Sequence, residues 1–90
     1  MESLMELRYF KHVAESEHGE GFAFLEVVDG WPRRQIEVYG AVWRWGDAAH
    51  PEWLADQPLT ELDLGEEHEV PAAVLERTRE EALRRCPRPL

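Results

Sequence analysis

Residues Leu4 to Val13 alternate between apolar and polar positions. Met5, Leu7, Tyr9 and Val13 fall on one side, and Glu6, Arg8 and His12 on the other. A period of two with one apolar side predicts a half-buried strand. Ala14 to Glu20 reads as a polar loop around Gly19. Gly21 to Val28 then carries Phe22, Ala23, Phe24, Leu25, Val27 and Val28, with Glu26 between them. Both sides are mostly apolar, which predicts a central strand. Asp29-Gly30-Trp31-Pro32 has turn chemistry. From Arg33 to Tyr39 the alternation returns: Arg34, Ile36 and Val38 on one side, and Arg33, Gln35, Glu37 and Tyr39 on the other. Gly40 permits a tight turn. Ala41, Trp43 and Trp45 share the next strand side, with Val42 and Arg44 opposite. Four sequential strands with short connections predict an antiparallel meander.

The pattern changes after Gly46. Gly46 to Pro58 is irregular, with Trp53 and Leu54 expected to pin it down. Leu59 and Leu62 allow one helical turn. Glu67 to Val70 is expected as a short acidic edge strand, a charge pattern that discourages open-edge pairing. Pro71 suits a helix start. At 100° per residue, Leu75, Thr78, Ala82 and Cys86 form one stripe flanked by Val74 and Leu83, with Glu76, Arg77, Glu80 and Arg84 opposite. Glu80–Arg84 and Glu81–Arg85 are spaced for helix-face ion pairs. Arg84 and Arg85 complement the helix C-terminus, and Pro87 and Pro89 end it. The expected fold is α+β: an antiparallel meander sheet of four to five strands with one C-terminal helix packed on one face.

Length narrows this to one domain, residues 1–90. A chain of 90 residues buries about 64% of its extended surface on folding, enough for one thin core. Apolar residues at 43% and aromatics at 10% place it outside the disordered class. No apolar run approaches the ~18 residues of a membrane span. The start, Met1 to Glu6, is acidic and lacks the basic region of a signal peptide. A single cysteine, Cys86, makes neither an internal disulfide nor a cysteine-based metal site. A reducing, cytoplasmic location is expected.

Charge adds more. The net charge is −9, from 19 acids and 10 bases. Asp47 to Glu69 holds eight acids and no Lys or Arg, while the remainder has 11 acids against 10 bases. Such a segment repels phosphate backbones, so nucleic-acid binding is excluded as the leading class. It suits electrostatic steering of a basic protein. A solvated acidic loop that aids solubility is the plainer reading of the same charges.

Catalytic signals are sparse. His12, His18, His50 and His68 stand in no metal-ligand spacing, and no metal or cofactor is expected. Ser3, Ser16, Thr60, Thr78 and Cys86 lie in no nucleophile motif, and no catalytic residue is assigned. Glu26 and Glu37 lie mid-strand, where a cross-strand pair with arginine is the structural reading. Four tryptophans are many for this length. Trp43 and Trp45 are packing if their side is covered, and a partner patch if it is open.

Three features together resemble an uncharacterised bacterial family of short acidic α+β domains. The first is a strand ending in Phe10-Lys11-His12, followed by a central strand with Glu26. The second is the run Trp31, Arg34, Ile36, Glu37, Val38 and Tyr39. The third is the acidic strand leading into a charged helix, Glu67 to Glu81. The likeness covers most of the chain and departs from the family pattern after Tyr39, at the turn, the Trp43/Trp45 strand and the proline-containing loop. It implies the fold and singles out His12, Arg34 and Glu37. It implies no activity, cofactor or substrate.

The leading expectation is a non-enzymatic acidic interaction module, in its most concrete form an immunity- or antitoxin-type inhibitor covering a basic partner surface. Asp63, Glu66 and Glu67 would steer, and Trp43, Trp45 or Trp53 would anchor. The alternative is a small-molecule-binding domain or minor enzyme using His12, Arg34 and Glu37. A third reading is a homodimer through the Trp43–Trp45 strand or the acidic edge.

Overall fold

The alternating segments become strands in the computed structural model, which describes residues 6–87. Four strands run β1 (Leu7–Ser16), β2 (Gly19–Val28), β3 (Trp31–Tyr39) and β4 (Val42–Asp47). They form one antiparallel sheet in the order β1-β2-β3-β4. A single helix, α1 (Ala72–Arg85), follows. The α+β meander with one C-terminal helix is therefore the fold. The expected strand residues Leu4 and Met5, the candidate Ser3 and the terminal Pro89 lie outside the described residues.

The turns follow local chemistry. Asp29 and Gly30 join β2 to β3 with φ of 49° and 85°. Two successive positive φ values are what a type I′ hairpin turn requires, and Asp-Gly is among its preferred pairs. Ala14 to Glu20 is not a loop: β1 runs through Ser16, and β2 starts at Gly19. This hairpin end projects past the core, leaving Val13 59% and Phe22 44% exposed. Without burial there is no apolar side for a sequence pattern to reveal.

The sheet's two sides are covered differently. Phe24, Ile36 and Trp45 form one row across β2, β3 and β4. They pack on Leu75 and Ala82 of α1, with Val74, Leu83 and Cys86 around them. Leu75 is fully buried; a leucine so placed contributes roughly 1.5–3 kcal/mol. The predicted stripe is thus the buried stripe. Of the two expected ion pairs, one forms as expected and one changes partner. Glu81, rather than Glu80, receives Arg84 and also holds Arg85, each at 2.6 Å.

The opposite side carries Phe10, Ala23, Leu25 and Val27 under Ala55, Leu59, Leu62 and Leu64. Its cover is the segment between β4 and α1, built from three single 3₁₀ turns, Pro51–Trp53, Leu59–Glu61 and Glu66–His68. Backbone ties hold it down. Leu59 N–H donates to Gly30 O (2.6 Å), and Val70 N–H donates to Tyr9 O (2.8 Å). The expected strand Glu67 to Val70 shrinks to one bridge, Glu69 opposite Phe10. Arg8 and Glu69 reinforce it at 3.0 Å.

Candidate functional site

One row of residues on the loop-covered side crosses all four strands. His12 pairs with Ala23, Ala23 with Glu37, and Glu37 with Arg44. Antiparallel neighbours lie ~5 Å apart, so the small Ala23 leaves a notch between two large polar side chains. The surrounding side chains close over Ala23 itself, which is 3% exposed, and the open space lies above it. A cleft of about 700 Å³ remains, floored by Ala23 and Leu25 and flanked by His12, Gln35, Glu37 and Tyr39. Leu62, Leu64, Asp63 and His68 overhang it.

Glu37 is held firmly. Its side chain is 12% exposed. Tyr39 donates its hydroxyl to Glu37 Oε1 at 2.6 Å, and Arg44 Nη2 donates to the same oxygen at 3.2 Å. Gln35 Nε2 donates more loosely to Oε2, at 3.3 Å. Gln35 is itself oriented by Ala55, whose N–H donates to its Oε1 at 2.8 Å. Position i, i+2, i+4 on β3 places Gln35, Glu37 and Tyr39 on one side, so the trio was legible in the alternation.

Arg44 is the group that sequence reasoning passed over. Its side chain is 7% exposed, and it bonds Glu17 (3.0 Å) as well as Glu37. The guanidinium carbon sits 4.1 Å from the Trp53 ring centroid and 5.1 Å from that of Tyr39. Its Nε is buried without a hydrogen-bond partner among the described residues. Burial pulls its pKa down, but the hydrogen bond and charge of Glu37, with Tyr39 and Glu17, drive it net upward. It stays charged. Burial, then the hydrogen bond to Glu37, pushes the Tyr39 hydroxyl pKa up, so Tyr39 stays a donor.

His12 and His68 meet across the cleft, with ring centroids 6.5 Å apart and edge-to-face. His12 Nδ1 lies 2.8 Å from Val13 O. A carbonyl only accepts, so Nδ1 carries the proton and Nε2 of the neutral ring is an acceptor. Among the described residues no group of three or more His, Cys, Asp or Glu is placed to hold a metal.

The other sequence candidates are distributed elsewhere. Arg34 is three residues from Glu37 on a strand and so projects from the opposite side. There it forks onto Glu26 at 3.0 and 2.6 Å and also bonds Glu76 of α1. The proposed His12, Arg34 and Glu37 trio does not assemble: His12 and Glu37 share the cleft without Arg34. Two of the three tryptophan anchors, Trp43 and Trp45, need correction. Trp45 is 8% exposed beneath α1, and its Nε1 donates to Cys86 O at 2.6 Å. Trp43 is half-buried with Arg85 over its ring at 5.1 Å. Trp53 is half-buried against Arg44. A helix packed over the Trp43 and Trp45 side removes the open patch that partner docking there requires. Asp63, Glu66 and Glu67 are exposed, and Asp63 lines the cleft.

No family model matches the chain, and neither the curated proteins nor the solved structures contain a match to it.

Proposed function

We propose that the protein is a non-enzymatic binding module that engages a basic protein partner through its loop-covered side. The observation that carries this reading is the placement of Glu37. It is a nearly buried carboxylate, fixed by Tyr39 and Arg44, that flanks an open cleft. The cover of that cleft comes from the one segment, Asp47 to Glu69, with eight acids and no Lys or Arg. A fixed internal acceptor beneath an acidic rim suits a cationic surface and disfavours an anionic one. An inhibitor of the immunity or antitoxin kind is the form this module would take. Asp63, Glu66 and Glu67 would steer the encounter. The anchoring role assigned to the tryptophans passes to the cleft.

The test is capture of partners from native extract at about 0.05 M and about 1 M salt, where the screening length falls to ~3 Å. A basic partner held at low salt and lost at high salt is expected. Neutralising Asp63, Glu66 and Glu67 together should slow association by about tenfold or more. Capture indifferent to both salt and neutralisation would refute the reading.

A further inference from the structure

We infer that the cleft receives an arginine side chain of the partner, with its guanidinium against Glu37 and His12, above the buried Ala23. This inference rests on the binding-module reading and specifies its anchor.

Acceptor chemistry comes first. Glu37 Oε1 already takes two donors, Tyr39 and Arg44. Among the described residues Oε2 has only the 3.3 Å contact from Gln35, which leaves it acceptor capacity. Across the notch, His12 commits Nδ1 to Val13 O, and in that Nδ1–H tautomer Nε2 is an acceptor. The two acceptors flank Ala23 from strands whose Cα atoms lie ~10 Å apart. A flat, donor-rich group fits that space. A guanidinium offers five N–H donors in one plane and is more weakly hydrated than an ammonium, so it enters a partly apolar cleft more readily. Leu25, Leu62 and Leu64 supply apolar wall for its methylene stem.

Charge points the same way. Glu37 and Asp63 both line the cleft, and among the described residues Asp63 has no cationic partner while Glu37 has Arg44. Among the described residues Lys11 is the one Lys or Arg lining the cleft. Its ammonium lies over the Phe22 and Phe24 rings at 4.6 and 5.5 Å, on the helix-covered side. It does not neutralise the notch. The fold already seats a guanidinium against this carboxylate, since Arg44 sits between Trp53 and Tyr39 with Glu37 at its tip.

The experiment titrates the full chain with N-acetyl-arginine amide and with N-acetyl-citrulline amide, a neutral ligand of nearly the same shape, followed by amide NMR shifts. The arginine probe should give saturable shifts at His12, Ala23 and Glu37, and citrulline should bind at least about tenfold more weakly, a loss fitting one charge-assisted contact. Ala23→Leu pushes bulk from this buried position into the cleft without removing a polar group and should abolish those shifts. Glu37→Gln should weaken them by a similar factor. A native-like near-UV spectrum for each variant keeps a folding defect from passing as lost binding. Equal shifts with citrulline, or shifts confined to Asp63, Glu66 and Glu67, would overturn the inference. Salt-sensitive partner capture that survives in Ala23→Leu would sink this anchor alone. Salt-indifferent capture by the unaltered chain would sink the module reading itself.

Discussion

The two sides of one sheet have opposite characters, although the same four strands supply both. On the helix-covered side, Phe24, Ile36 and Trp45 meet Leu75 and Ala82, and the space closes. Its charged group, Arg34 with Glu26 and Glu76, lies beside that core and ties α1 to β2 and β3. On the loop-covered side the corresponding row is His12, Ala23, Glu37 and Arg44. Polar groups hold the centre there, the middle residue is an alanine, and three short 3₁₀ turns replace a helix. A regular helix presents a continuous apolar stripe that fills the space beneath it. Separate turns bring single leucines and leave a gap. The difference teaches that the cleft comes from side-chain size at Ala23 together with the irregularity of its cover.

The contrast is open to attack from both sides. Arg44→Met should have the largest effect, since it leaves Glu37 as a nearly buried carboxylate without its cation. Breaking such a pair costs about 3–5 kcal/mol, readable in urea unfolding. A loss below about 1 kcal/mol would mean that water reaches the loop-covered side freely. Leu75→Ala, on the helix-covered side, should cost about 2–5 kcal/mol through the cavity it opens. Leu62→Ala, beside the open cleft, should cost clearly less. If the two leucines cost the same, the distinction between a closed and an open side fails.

Smaller effects separate the charged groups. Tyr39→Phe removes one donor to Glu37 and should cost about 1 kcal/mol. The folded Tyr39 pKa lies above its ordinary value of about 10, because of burial and then the Glu37 hydrogen bond. Its contribution is therefore full below pH ~10 and lost as pH rises through the folded value. Alkaline unfolding curves of the phenylalanine variant should lack that limb. Glu76→Gln should be smallest, below about 1 kcal/mol, because the Glu76 side chain is 48% exposed and solvent screens its pair. The Arg34 hydrogen bond holds the Glu76 carboxyl below its usual range. Its stabilisation is present at neutral pH and lost as pH falls through the folded value. Acid titration of the glutamine variant should be flatter over that window.

The strands, the Asp29-Gly30 turn and the stripe of α1 were legible because each is a local signal: a period of two, a dipeptide or a period of 3.6. Gln35, Glu37 and Tyr39 could be placed on one side for the same reason. What escaped is what depends on register between strands. Nothing within β3 or β4 says that Glu37 faces Arg44, and the nearer Arg33 and Arg34 were the natural partners to expect. The acidic segment looked uniform in sequence. In the fold, Asp47 bonds His50 at 3.2 Å and Glu69 bonds Arg8, while Asp63, Glu66 and Glu67 stay exposed. The cover of the Trp43 and Trp45 side was equally unreadable, because either α1 or the 3₁₀ segment could have packed there.

The two-sided row has a consequence for how this chain tolerates change in length. Adding or deleting one residue near the middle of β2 or β3 would invert every side chain beyond the lesion. In β3 it would drive Glu37 toward α1 and expel Ile36 into the cleft. The fold already accommodates one irregularity, the register shift between Glu26 and Val27, where Arg34 and Pro32 become the successive partners and Arg33 takes up the extra residue. Indels in the middle strands should therefore be far more damaging than most substitutions. The span around Asp56 and Gln57, exposed between two 3₁₀ turns, is where added or lost residues would be absorbed.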